Sequence, residues 1–64
     1  MVEIAARDHT LPEVEQVVGA AHLYRKGTNR EWYANLGREQ ADLAVVNLNL
    51  IPGVRAKIMG PYGG

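Results

Sequence analysis

Apolar and polar residues alternate along parts of this chain and recur at helical spacing along others, and the changes of period outline its elements. In "MVEIAAR", Val2 and Ile4 fall on one side and Glu3 on the other, the pattern of a short half-buried strand. From Leu11 the period lengthens, with Leu11, Val14, Val17, Val18, Ala21 and then Leu23 or Tyr24 close to an i, i+3, i+4, i+7 repeat. Thr10 stands three residues before Glu13, with Pro12 in the first turn. In that capping-box spacing a hydroxyl and a carboxylate satisfy the first free N–H groups of a helix. Arg25, Lys26 and then Gly27 suit a helix C-terminus. These signals predict a helix over 11–26, weakened near its middle by Gly19.

Thr28 and Glu31 repeat the capping spacing, so a second helix is expected to start near residue 29, with Trp32 and Leu36 one turn apart, Gly37 weakening its middle, and Glu39, Gln40 and Ala41 keeping good helix propensity. A new alternation limits it. Ala44, Val46, Leu48 and Leu50 share one parity, Asn47 and Asn49 the other, and asparagine is poor in a helix interior. Beyond "IPG", Val54, Ala56 and Ile58 alternate with Arg55 and Lys57. Two strands, 44–50 and 54–58, are therefore expected to form a C-terminal hairpin. Opposing Leu50 to Val54, Leu48 to Ala56 and Val46 to Ile58 matches their apolar faces, but it centres a three-residue loop on Pro52. The usual type I turn disfavours proline there, while a tight Pro-Gly turn would slip the register by one and misdirect one strand's apolar set. Face matching governs, because misplacing several apolar side chains costs more than one imperfect turn. The expected fold is α+β, in β-α-α-β-β order. A small sheet, made of the N-terminal strand plus the C-terminal hairpin, is covered by one or two helices. Residues 1–59 form one domain and 60–64, "GPYGG", a mobile tail.

Composition adds a constraint. A chain of 64 residues makes a marginal core, and with no cysteine it has neither disulfides nor thiolate metal sites to reinforce it. Self-association, or docking on a protein partner, is the remaining common route to stability. The net charge is zero but unevenly spread: one base against four acids in residues 1–20, four against two in 21–40, two against one in 41–64. Neutrality lowers repulsion between copies and gives no strong footprint for nucleic acid. No apolar run approaches the ~20 residues of a membrane helix, and the N-terminus lacks the basic start and apolar core of a signal peptide. The expectation is a soluble, cytoplasmic protein with no membrane partner.

Little in the chain points to catalysis. Serine and cysteine are both absent. Thr10 and Thr28 read as helix caps. His9 and His22 are thirteen positions apart, and neither has a second ligand at metal spacing. Asp8-His9 reads as a solvated loop and His22 as a helix-edge residue rather than a general base. "KGTN" lacks the order and the upstream glycine of a phosphate loop. No catalytic, cofactor or metal site is expected, and the protein is read as a non-enzyme.

The richest cluster is "HLYRKGTNREWY", residues 22–33, where Tyr24, Arg25, Lys26, Arg30, Trp32 and Tyr33 combine the residue types favoured at protein interfaces. The plain alternative is that Trp32 and one tyrosine are core while the cations cap the first helix. A third reading has cations on phosphates and aromatics stacked on bases. The sequence thus suggests a small non-catalytic assembly or interaction protein, a subunit of a homo-oligomer or larger complex such as a virion accessory component. The alternative is a small nucleic-acid-binding regulator that uses residues 22–33.

Overall fold

The structure, a computed structural model, describes residues 1–25 and 30–59. Its order is β1 (Val2–Ala5), α1 (Leu11–Val18), β2 (Leu23–Arg25), β3 (Glu31–Ala34), α2 (Arg38–Asn49) and β4 (Arg55–Ile58), with 3-10 turns at Asp8–Thr10 and Ala20–His22. The four strands form one antiparallel sheet in the order β2-β3-β1-β4. Two β-α-β units are thereby interleaved, the split arrangement of ferredoxin-like folds, a topology that hosts many unrelated functions.

The α+β class and the N-terminal strand are as the residue pattern implies. Val2 and Ile4 are buried beneath the helices, while Glu3 lies on the other face. β1 sits at the centre of the sheet, with Ile4 between Trp32 of β3 and Ala56 of β4. Val14 and Val18 of α1 and Ala41, Ala44 and Leu48 of α2 complete a core in which Ile4, Leu48, Val2 and Val14 are the largest fully buried side chains.

Three expected elements differ, each for a physical reason. The first helix ends at Val18 rather than near residue 26 because Gly19 adopts φ 84°, a left-handed backbone that closes the helix through its N–H to the Glu15 carbonyl. Leu23–Arg25 then joins the sheet. The capping box does not form either: Thr10 precedes the helix but donates its hydroxyl to the Arg7 carbonyl at 2.6 Å, securing the 3-10 turn. Thr28 lies outside the described residues.

The first part of the second expected helix is instead strand β3, while its later part, Arg38–Ala41, is helical as expected and opens α2. Trp32 and Ala34 point to the helices and Glu31 and Tyr33 to the opposite face, a two-residue period with aromatic residues that fit a pleated surface.

The expected strand 44–50 is the second half of α2, so there is no C-terminal hairpin and the order becomes β-α-β-β-α-β. Ala41, Ala44, Val45 and Leu48 also stand at helical spacing, and packing of that face decides between the two periods. An interior asparagine costs a helix about 0.7 kcal/mol at most, whereas burying a leucine contributes about 1.5–3 kcal/mol. The expected strand 54–58 does form, as Arg55–Ile58, but its partner is β1. Pro52 and Gly53 (φ 82°) make the turn from α2 into β4.

Asn49, the last residue of α2, has a further task. Its amide donates to the Ala56 carbonyl at 3.0 Å and accepts from the Ala56 N–H at 2.8 Å, occupying outward-facing peptide groups of edge strand β4. Asn49→Ala is expected to lower stability by about 1–2 kcal/mol, read as a lower urea midpoint. An unchanged midpoint would mean that water replaces the amide at no cost.

Candidate interaction surfaces

The described residues of the cluster 22–33 fall mainly on β2 and β3, and the pleat divides them between two faces. Tyr24 pairs with Tyr33 on the face away from the helices, their rings edge-to-face with centroids 6.1 Å apart. Arg25 and Trp32 pair on the helix side, with the guanidinium 4.7 Å from the ring centroid. Arg25 also meets Asp8 at 3.2 Å. Arg30 is exposed just before β3, and Lys26 lies outside the described residues. Trp32 packs against the core, so the plain reading holds for it, whereas Tyr24 remains 43% exposed. Arg25 caps no helix: it lies in a strand and is held by a carboxylate and an indole.

Because Arg25 and Asp8 are 45% and 79% exposed, their ion pair contributes little. Arg25→Ala is expected to cost under about 1 kcal/mol while shifting the Trp32 fluorescence maximum, since the cation leaves the ring face. An emission spectrum identical to wild type would show that the stack does not persist in solution.

The open sheet face carries Tyr24, Tyr33, Glu3, Ala5, Glu31, Arg55 and Lys57, as the strand registers require. Lys57 meets Glu3 at 3.5 Å across the β1–β4 pair. A shallow depression of about 250 Å³ lies over Ala5, between Glu31 and Arg55. Two acids face two bases here, so the tyrosines could stack on planar groups, yet among the described residues the face has no net positive charge to hold a phosphate backbone.

Neither sheet edge invites another strand. β4 is closed at Ala56 by Asn49 and bears Arg55 and Lys57, while β2 is only three residues long and carries Arg25.

The outer surface of α2 is different. Leu43, Val46 and Leu50, the last capping the helix with α-helical backbone angles, are 66%, 62% and 75% exposed, on the side opposite Ala41, Ala44 and Leu48. They recur at i, i+3 and i+7 and so form one ridge. From Leu43 to Gly53 the sequence has no charged residue, although a solvated helix face is ordinarily charged. Beside the ridge, Leu43 and Asn47 also border a groove of about 450 Å³ between the two helices, lined further by Val17, His22, Leu36 and Gln40.

Residue patterning misses this ridge because the alternation favours a strand, which assigns Val46, Leu48 and Leu50 to one buried side. The signal that could have found it is the run of eleven uncharged residues, 43–53, which suits an interface however it folds.

Among the described residues, no three His, Cys, Asp or Glu side chains are grouped to hold a metal ion. His9 and His22 are both exposed, each at or near the end of a 3-10 turn. No helix among the described residues is long and apolar enough to cross a membrane. The chain matches no protein-family model, no curated protein and no solved structure.

Proposed function

We propose that this is a non-catalytic interaction module, a subunit of a protein assembly that docks through the outward ridge of α2. The observation that carries this reading is the exposure of Leu43, Val46 and Leu50 on a helix whose opposite face is already buried in the core. Three such side chains make a patch of a few hundred Å², on the order of the largest that a monomer normally shows, and such patches mark contact surfaces. The absence of serine and cysteine supports the non-catalytic part.

Nucleic acid binding through residues 22–33 is less well supported by the surface. Arg25 and Lys57 each already face a carboxylate, Asp8 and Glu3, and among the described residues the tyrosine-bearing face is formally neutral. The β2–β3 arm instead supplies a packed Trp32 and a tyrosine pair at one end of the sheet.

The test is the native size of the tagged full chain in an extract of the cells that make it, beside a Leu43→Glu/Leu50→Glu variant. Wild type is expected to elute above monomer mass, in the extract or once purified and concentrated well above ~100 μM, and the variant at monomer mass in both. If wild type is a monomer in both, or if nuclease rather than the variant reduces its size, the reading fails.

A further inference from the structure

We infer that the surface covering the α2 ridge is the α2 ridge of a second copy of this chain, packed antiparallel about a two-fold axis between Val46 and Asn47. The inference rests on the reading of α2 as the docking face and adds the identity and orientation of the partner.

Residue spacing supports it first. At about 100° per residue, Leu43 and Leu50 lie nearly in line along the helix, with Val46 to one side and Asn47 to the other. Reversing the helix about its 46–47 midpoint exchanges Leu43 with Leu50 and leaves the two sides unchanged. A two-fold pair therefore stacks each Leu43 on the partner copy's Leu50, sets the two Val46 side chains together on one flank and the two Asn47 amides together on the other. Each amide both donates and accepts, so an Asn47 pair satisfies itself, in the way a single interfacial asparagine fixes register in coiled coils. A parallel pair about the same ridge has no comparable use for Asn47.

Charge agrees with this arrangement. The uncharged run 43–53 puts no like charges across the ridge, and a net charge of zero leaves no long-range repulsion between copies. Antiparallel helices also oppose their dipoles favourably. The closed β4 edge and the short, Arg-bearing β2 edge leave this ridge as the self-complementary apolar surface among the described residues. The patch is smaller than the ~800 Å² per partner of a standard interface, which places the dimer among weak associations, and the test covers a dissociation constant on the order of 10–100 μM.

The chain has no cysteine, so single cysteines report the geometry cleanly. Purified Leu43→Cys and Leu50→Cys proteins are mixed under mild oxidation, alone and together, beside sedimentation velocity of wild type up to several times that dissociation constant. Wild type is expected to pass from monomer to dimer. The mixture is expected to cross-link mainly as 43 to 50, and each variant alone only weakly, because an antiparallel pair holds like positions ~10 Å apart along the axis, beyond disulfide reach. Asn47→Asp, which would set two carboxylates side by side, is expected to weaken association at least ~10-fold at neutral pH.

Predominant 43–43 and 50–50 cross-links, or an Asn47→Asp dimer as strong as wild type, would overturn the antiparallel arrangement. A purified wild type that stays monomeric would overturn the second copy as partner. In that case a large species in cell extract that the double glutamate variant abolishes would still uphold α2 as the docking face.

Discussion

Ile4→Ala is expected to leave the domain largely unfolded or close to its unfolding midpoint at 25 °C. Ile4 is fully buried in the central strand, with Trp32 and Ala56 as its neighbours on either side. Truncating such a side chain costs about 2–5 kcal/mol, through lost burial plus the cavity left behind. A 64-residue domain has roughly 3–10 kcal/mol of stability in total, so this one change removes a large share of it. Urea titration followed by circular dichroism gives the answer. Ile4→Val, at about 1 kcal/mol, should remain folded and serves as the graded control. Val46→Ala provides the contrast: a hairpin at 44–59 would make Val46 a core residue, whereas on the outer face of α2 its loss should be nearly neutral for the monomer. If Val46→Ala proved costlier than Ile4→Ala, the assigned fold would be wrong.

The second large effect concerns association. Leu43→Glu/Leu50→Glu should abolish self-association, at least ~100-fold in dissociation constant, because each carboxylate would have to leave water against an apolar partner. The same variant should remain folded, with a urea midpoint within about 0.5 kcal/mol of the stability of the wild-type monomer, since both side chains already face solvent. Sedimentation velocity and circular dichroism on one sample separate the two outcomes. A double variant that still dimerises would locate the contact elsewhere, with the tyrosine-bearing sheet face as the next candidate.

The parts of this fold that were legible in the sequence are those where a single period has no rival. β1 reads correctly because Val2, Glu3 and Ile4 alternate beside no competing helical pattern. The start of α1 is right because Pro12 and the apolar repeat agree, even though Thr10 bonds to Arg7 rather than to the helix. The end of α1 is not legible because Ala21, Leu23 and Tyr24 prolong the helical spacing across Gly19, and only its positive φ breaks the helix. At residues 44–50 two periods coexist: the alternation of Asn47 and Asn49 with leucines suits a strand, while Ala41, Ala44 and Leu48 suit a helix. The choice was made by packing against the sheet, which no local window contains. The cluster 22–33 is brought together as a pair of contacts, Tyr24 with Tyr33 and Arg25 with Trp32, on opposite faces of one small arm. The pleat separates residues that a helix–helix junction would have gathered on one side, and that is why this cluster did not become a single surface.

The central claim is that two copies of this chain meet through the outer face of α2, and methyl chemical shifts followed on dilution test it residue by residue. Between concentrations well above and well below ~100 μM, the methyl signals of Leu43, Val46 and Leu50 should move together on one binding curve, while those of Ile4, Val14 and Leu48 stay fixed. Shifts that do not change with concentration, or changes confined to the neighbours of Tyr24 and Tyr33, would contradict it.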